Sequence, residues 1–155
     1  MLFKETIAAF IATFGFGIIF NIKGKNLIFS SIGGMISWII YKLALQKTGS
    51  DIAGLFISSI VFSAYSEACA RILKTPVTTI VICALIPLVP GGGMYYTMYE
   101  AIRGDMNKSF QTLATTLASA GTLALGVIFV STITRLISSA RHHYMEIVDK
   151  NRRPY

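Results

Sequence analysis

Two of the seven acidic residues, Glu67 and Glu100, lie in apolar stretches where a carboxylate is costly unless it is paired, hydrated or in use. Glu67 follows Ser59 and Ser63 at helical spacing and precedes Arg71 by four residues. That spacing allows an ordinary Glu67 and Arg71 pair, or a relay for protons or substrate. Glu100 comes one turn after Tyr96 and three residues after Thr97, so Tyr96, Thr97 and Glu100 are expected on one helix face, which Arg103 extends. Facing a cavity, Glu100 would exchange protons and Arg103 would meet a carboxylate; as interfacial charges they would do neither.

The element that must position this second group is unusual. Residues 86 to 105 read "IPLVPGGGMYYTMYEAIRGD", with Pro87, Pro90 and the run Gly91, Gly92, Gly93 inside an otherwise apolar stretch. Residues 77 to 86 amount to half a crossing, because ten helical residues rise about 15 Å of the roughly 30 Å hydrocarbon layer. The interruption is therefore expected near the midplane, with a second short helix from Met94 to Ile102 completing the span. Pro90 removes a backbone donor and disfavours helix at Val89, while the glycines permit positive φ and close approach of a ligand. Unpaired backbone groups survive in lipid only where they line a cavity, and the amides opening the second half-helix favour a negative group. Pro87, Pro90, Gly91, Gly92, Gly93, Tyr96, Thr97, Glu100 and Arg103 are the expected substrate pathway, with Glu67 and Glu100 as proton-relay candidates. Two plainer readings stay open. The glycines form a surface loop before an interfacial helix whose Tyr95, Tyr96 and Tyr99 make an aromatic belt, or they serve only helix packing.

The whole chain agrees with a membrane setting. Its 155 residues are 54% hydrophobic and 14% charged, far from the soluble balance. Charges and glycines divide it into spans near 6 to 22, 27 to 46, 52 to 72, 76 to 102 and 112 to 138. The expected fold class is an all-α integral membrane protein of about five transmembrane helices, the fourth broken. A transmembrane domain over 1–140 and a basic cytoplasmic tail over 141–155 are the expected divisions. The first span follows Lys4 without a small-residue cleavage site and reads as a retained helix. Ser50 or Asp51 is the expected cap of the third span, and Pro76 suits the first turn of the fourth.

Five spans put the termini on opposite faces. Lys23, Lys25, Arg71, Lys74, Arg135, Arg141, Lys150, Arg152 and Arg153 then share the C-terminal side, against Lys4, Lys42, Lys47, Arg103 and Lys108 on the other. The excess predicts a cytoplasmic C-terminus. Small residues recur on single faces: Ser30, Gly34 and Ser37; Ser59, Ser63 and Glu67; Thr115, Ser119, Thr122 and Gly126. They serve close helix packing or a polar path.

Other chemistries find little support. The net charge of +7 has no basic stripe interleaved with aromatics, so nucleic acid is not an expected partner. Cys69 and Cys83 fit no metal or redox spacing and read as plain buried thiols. His142 and His143 are adjacent and do not project together as metal ligands. The glycine run lacks the ending of a nucleotide loop, and no catalytic set can be assembled, so neither an enzyme, a metal nor a cofactor is expected.

The stretch Pro87 to Tyr96, the five-span layout and the basic tail together resemble the small-subunit form of the bacterial threonine/serine exporter family. The resemblance implies an inner-membrane, multi-pass secondary transporter that exports threonine, serine or another small carboxylate-bearing solute. It also implies a second membrane subunit bearing a soluble N-terminal region. Lipid is the other expected partner, and a homo-oligomer is a further arrangement. Two five-span units in opposite orientations would form inverted halves around one site. A dicarboxylate such as succinate is the alternative cargo, and a non-transporting membrane scaffold the alternative class.

Overall fold

The computed structural model describes residues 2–152, and the side chains of residues 2–139. Regular structure among them is helical throughout: α1 Leu2–Ile19, α2 Lys25–Thr48, α3 Asp51–Leu73, α4 Val77–Leu85 leading into a 3₁₀ turn Ile86–Leu88, α5 Gly91–Ile102 and α6 Met106–Arg152. α1, α2, α3 and residues 106–139 of α6 are each long and apolar enough to cross a membrane. α4 with its 3₁₀ turn and α5 make a fifth crossing when counted as one span bent by 52°. The chain is thus an all-α membrane protein of four to five spans, with the break in the expected place along the sequence. The side chains of Arg141, His142, His143, Lys150, Arg152 and Arg153 lie outside the described residues.

Local chemistry sets the helix ends. Gly49 adopts the left-handed conformation (φ 66°) that closes α2, and its amide bonds Leu45 O. Ser50 then caps α3, its hydroxyl accepting from the Ala53 amide at 3.4 Å. Lys74 turns left-handed to end α3, and Pro76 stands as the cap of α4, one position before the first turn.

Contacts between side chains fix the directions of the helices. Ser58 donates to Ser37 O at 2.6 Å and Tyr65 to Phe29 O at 2.9 Å, so α2 and α3 are antiparallel. Glu5 pairs with Lys42 at 2.8 Å while a Cβ at Gly17 would meet Leu27, which makes α1 antiparallel to α2. Asn26 meets Thr75 and Ser37 meets Ala84 O, so α4 runs with α2. Ser59 touches Gly126, whereas Glu67 and Arg71 lie level with Ser131 and Arg135, so α6 runs with α3. One end of the bundle therefore carries Lys23, Arg71, Lys74 and Arg135, and is called the basic end below. The opposite end carries Glu5, Lys42 and Asp51.

Small residues let these helices approach. A Cβ at Gly34 would overlap Thr13, and one at Gly126 would overlap Ser59 Oγ. On α6 the buried stripe is Ser109, Thr116, Ser119, Leu123, Gly126 and Val130, whereas Thr115 is exposed. Thr115 therefore leaves the expected stripe: its neighbour Thr116 occupies the seam, one residue or about 100° around the helix. Phe62, Ile80 and the free thiol Cys83 are fully buried, and Cys69 is a second buried thiol, as expected.

Gly126→Ala is expected to lower the thermal midpoint of the purified chain in mild detergent, by an overpacking penalty of about 1–3 kcal/mol. Gly121→Ala, where a Cβ meets nothing within 4 Å, should leave the midpoint unchanged or slightly raised. Equal midpoints would contradict the α3 to α6 contact.

Candidate functional site

The break is narrower than its sequence implies. Val89 is extended (φ −59°, ψ 127°), and Pro90 (φ −77°, ψ 52°) makes a tight turn in which the Gly91 amide bonds Val89 O at 2.7 Å. α5 then starts at Gly91, three residues before the expected Met94. The positive-φ glycines are Gly24, Gly49 and Gly104, so Gly91 to Gly93 do not use the freedom that motivated the unwound reading. The first turn of a helix needs no amide partners within the helix, and it can begin at once behind a proline.

Depth also differs from expectation. Pro87, Leu88 and Pro90 line a cavity of about 160 Å³ with Tyr41, Asp51 and Ser119, level with the first residue of α3 rather than half way along it. Counting ten helical residues underestimates the reach of this segment. The 3₁₀ turn adds about 2 Å per residue and extended Val89 about 3 Å more.

Beyond the break, α5 packs against the start of α6 and makes no other substantial helix contact. Gly93 lies against Thr116, where a Cβ would overlap the Thr116 hydroxyl. Ser109 donates to Thr97 O at 2.8 Å, Thr97 donates to Gly93 O at 2.8 Å, and Lys108 pairs with Glu100 at 2.7 Å. Gly93, Thr97 and Glu100 thus form the seam with α6, and Glu100 is 8% exposed. Tyr96 and Arg103 do not join this face. They lie about 60° and 80° to one side of its line, and Arg103 stacks on Tyr99 at 5.3 Å while Tyr96 packs edge-on to Tyr95. Gly91 and Gly92 are exposed with open space around them. The expected pathway residues therefore fall into three groups: Pro87 and Pro90 at a small cavity, Gly93, Thr97 and Glu100 in a packed seam, and Gly91, Gly92, Tyr96 and Arg103 on the outside.

At the basic end the structure opens two larger spaces that flank the start of α4. One, of about 650 Å³, is lined by Asn21, Lys23, Asn26, Thr75, Thr78 and Thr79 among others. The other, of about 320 Å³, is lined by Glu67 and Arg71 of α3, Thr78 of α4, and Ser131, Thr134 and Arg135 of α6. Glu67 and Arg71 share this wall without forming an ion pair; among the described residues the pairs are Glu5 with Lys42 and Glu100 with Lys108. Glu67 is thus remote from Glu100, at the opposite end of the bundle. Sequence reading missed Thr78, Ser131, Thr134 and Arg135. The signal available was the concentration of Asn and Thr in "NIKGKN" and "KTPVTT", beside the lone acid of α3's last turns.

A bent fourth span, a bundle with parallel first, third and last helices, and polar spaces at one end all suit a solute carrier. A family model described as Threonine/Serine exporter, ThrE, matches residues 5–133. The chain belongs to this exporter family. The match takes in the first four spans and most of the fifth, and with them the break, the expected pathway residues and Glu67. It makes the protein a membrane transporter of the threonine/serine exporter type. No curated protein and no solved structure matched in the corresponding searches.

Proposed function

We propose that the chain is one membrane subunit of a secondary transporter that exports threonine and serine, working with a second membrane subunit that bears a soluble domain. Family membership supports the cargo class. The observation that carries the subunit reading is the state of α5. It packs on α6 alone and leaves Met94, Tyr95, Met98 and Ile102 exposed, next to the exposed Phe110, Leu113 and Leu117 of α6. A hairpin with so little support inside its own chain is a natural seat for a second bundle. Inverted pairing of two five-span units would then enclose a shared path.

The basic end is placed in the cytoplasm, because Lys23, Lys25, Arg71, Lys74 and Arg135 gather there and the tail adds four more cations. Solute would load at that end and leave past Pro87, Pro90 and the start of α5. Gly92 offers a backbone amide in the first turn of a helix, where a carboxylate is favoured. Tyr96 and Arg103 stand on the outer flank, and the Glu100 and Lys108 pair ties the end of α5 to the start of α6.

The reading is tested by affinity purification of the tagged chain from its native membrane in mild detergent. A second multi-pass protein with a soluble domain is expected to co-purify, and Tyr95→Ser with Met98→Ser should lower its yield about tenfold. An undiminished yield from the double variant would remove α5 as the seat of the partner.

A further inference from the structure

Glu67, Arg71 and Arg135 converge on the 320 Å³ space between α3, α4 and α6, which none of the residues at the break touches. Its volume falls in the range of small-molecule pockets. Neither guanidinium comes within the 4.0 Å of an ion pair with the Glu67 carboxylate, so one negative and two positive groups face shared space rather than each other. Arg71 and Arg135 are exposed and Glu67 is half-buried, so the space opens at the basic end and its charges are free to meet a complementary solute. An anion without an ammonium group would meet the two arginines but be repelled by Glu67. A cation alone would meet the reverse. A molecule carrying both charges on neighbouring atoms satisfies all three, with a fork from Arg to its carboxylate and Glu67 accepting from its ammonium group. Thr78, Ser131 and Thr134 supply hydroxyls that donate to or accept from a third polar group.

One turn further into the bundle on the same face of α3, Ser63 is 1% exposed and its hydroxyl has no partner. Its neighbours Ser59 and Ser66 instead bond back to Phe56 O and Phe62 O of their own helix. A buried hydroxyl left unsatisfied is costly, and its position continues the polar face inward from Glu67.

We infer that this space binds the zwitterionic head of an α-amino acid, Glu67 taking the ammonium group and Arg71 and Arg135 the carboxylate, at the end of the bundle where export begins. The inference rests on the export reading and adds the loading site to it.

Calorimetric titration of the chain purified with its partner tests the assignment with three probes: L-threonine, 3-hydroxybutyrate, which lacks the ammonium group, and threoninol, which lacks the carboxylate. L-Threonine should bind at least about tenfold more tightly than either analogue, as expected for loss of one charged hydrogen-bonded pair. Glu67→Gln should weaken L-threonine and threoninol about tenfold and leave 3-hydroxybutyrate binding as strong or stronger. Arg135→Gln should weaken L-threonine and 3-hydroxybutyrate and spare threoninol. Because each variant keeps one probe, misfolding cannot produce this pattern. Unchanged L-threonine binding in both variants, or equal binding of 3-hydroxybutyrate and L-threonine, overturns the site. Threonine export that persists in both variants also overturns it and leaves the export reading standing, whereas no export by the wild-type pair ends both.

Discussion

Gly93→Leu is expected to reduce threonine export to background. A side chain at Gly93 has nowhere to go: its first carbon already overlaps the Thr116 hydroxyl, and the Thr116 Cβ and Cγ2 lie only 3.2 Å away. α5 has no other substantial helix partner, so forcing this seam apart also strains the Ser109 to Thr97 bond and the Lys108 to Glu100 pair. Overpacking of this kind costs about 1–3 kcal/mol and sometimes more, enough to displace a short helix held by one neighbour. At Gly92, one residue earlier, an added Cβ meets nothing within 4 Å, and Gly92→Leu should insert and fold normally. Its effect on export, measured in cells fed a threonine-containing dipeptide, reports solely whether solute passes the exposed amides. The steric argument has its own control. Gly93→Ala should be impaired, and Thr116→Gly should restore it by removing the overlapping atoms, a coupling visible in a double-mutant cycle. Failure of Thr116→Gly to rescue would detach the phenotype from the α5 to α6 contact.

The second large effect concerns the partner. Expressed without a second subunit, the chain should show threonine efflux no greater than that of cells lacking it, because half of an inverted pair encloses no complete path. Co-expression should raise efflux by about tenfold or more. Robust export by the chain alone in a host free of relatives would refute the two-subunit reading and make a homo-oligomer the working unit.

How far the sequence carries is clearest at particular residues. Helix ends were legible because their chemistry is local: Gly49 and Ser50 mark the α2 to α3 turn, and Pro76 the start of α4. The glycine run was legible as a place but not as a conformation. The same three residues suit an unwound strand, a first helical turn and a close contact, and only the position of Thr116, 23 residues on, selects among them at Gly93. Glu100 drew notice as an isolated acid, yet its partner Lys108 lies across a turn whose geometry depends on Gly104 at φ 85°. Residues four apart are neighbours on a helix, which groups Tyr96 with Glu100, but the seam with α6 is narrow and its line runs through Gly93 and Thr97. The space around Glu67 was least accessible. Arg135 and Thr134 come to it from α6, more than sixty residues away, only because α6 runs parallel to α3.

Counterflow of labelled L-threonine in proteoliposomes containing the purified chain and its partner tests the central claim most directly. The account predicts saturable L-threonine exchange that unlabelled serine competes and succinate does not. Exchange of succinate with no threonine flux, or no flux of either solute from folded, correctly inserted protein, would contradict it.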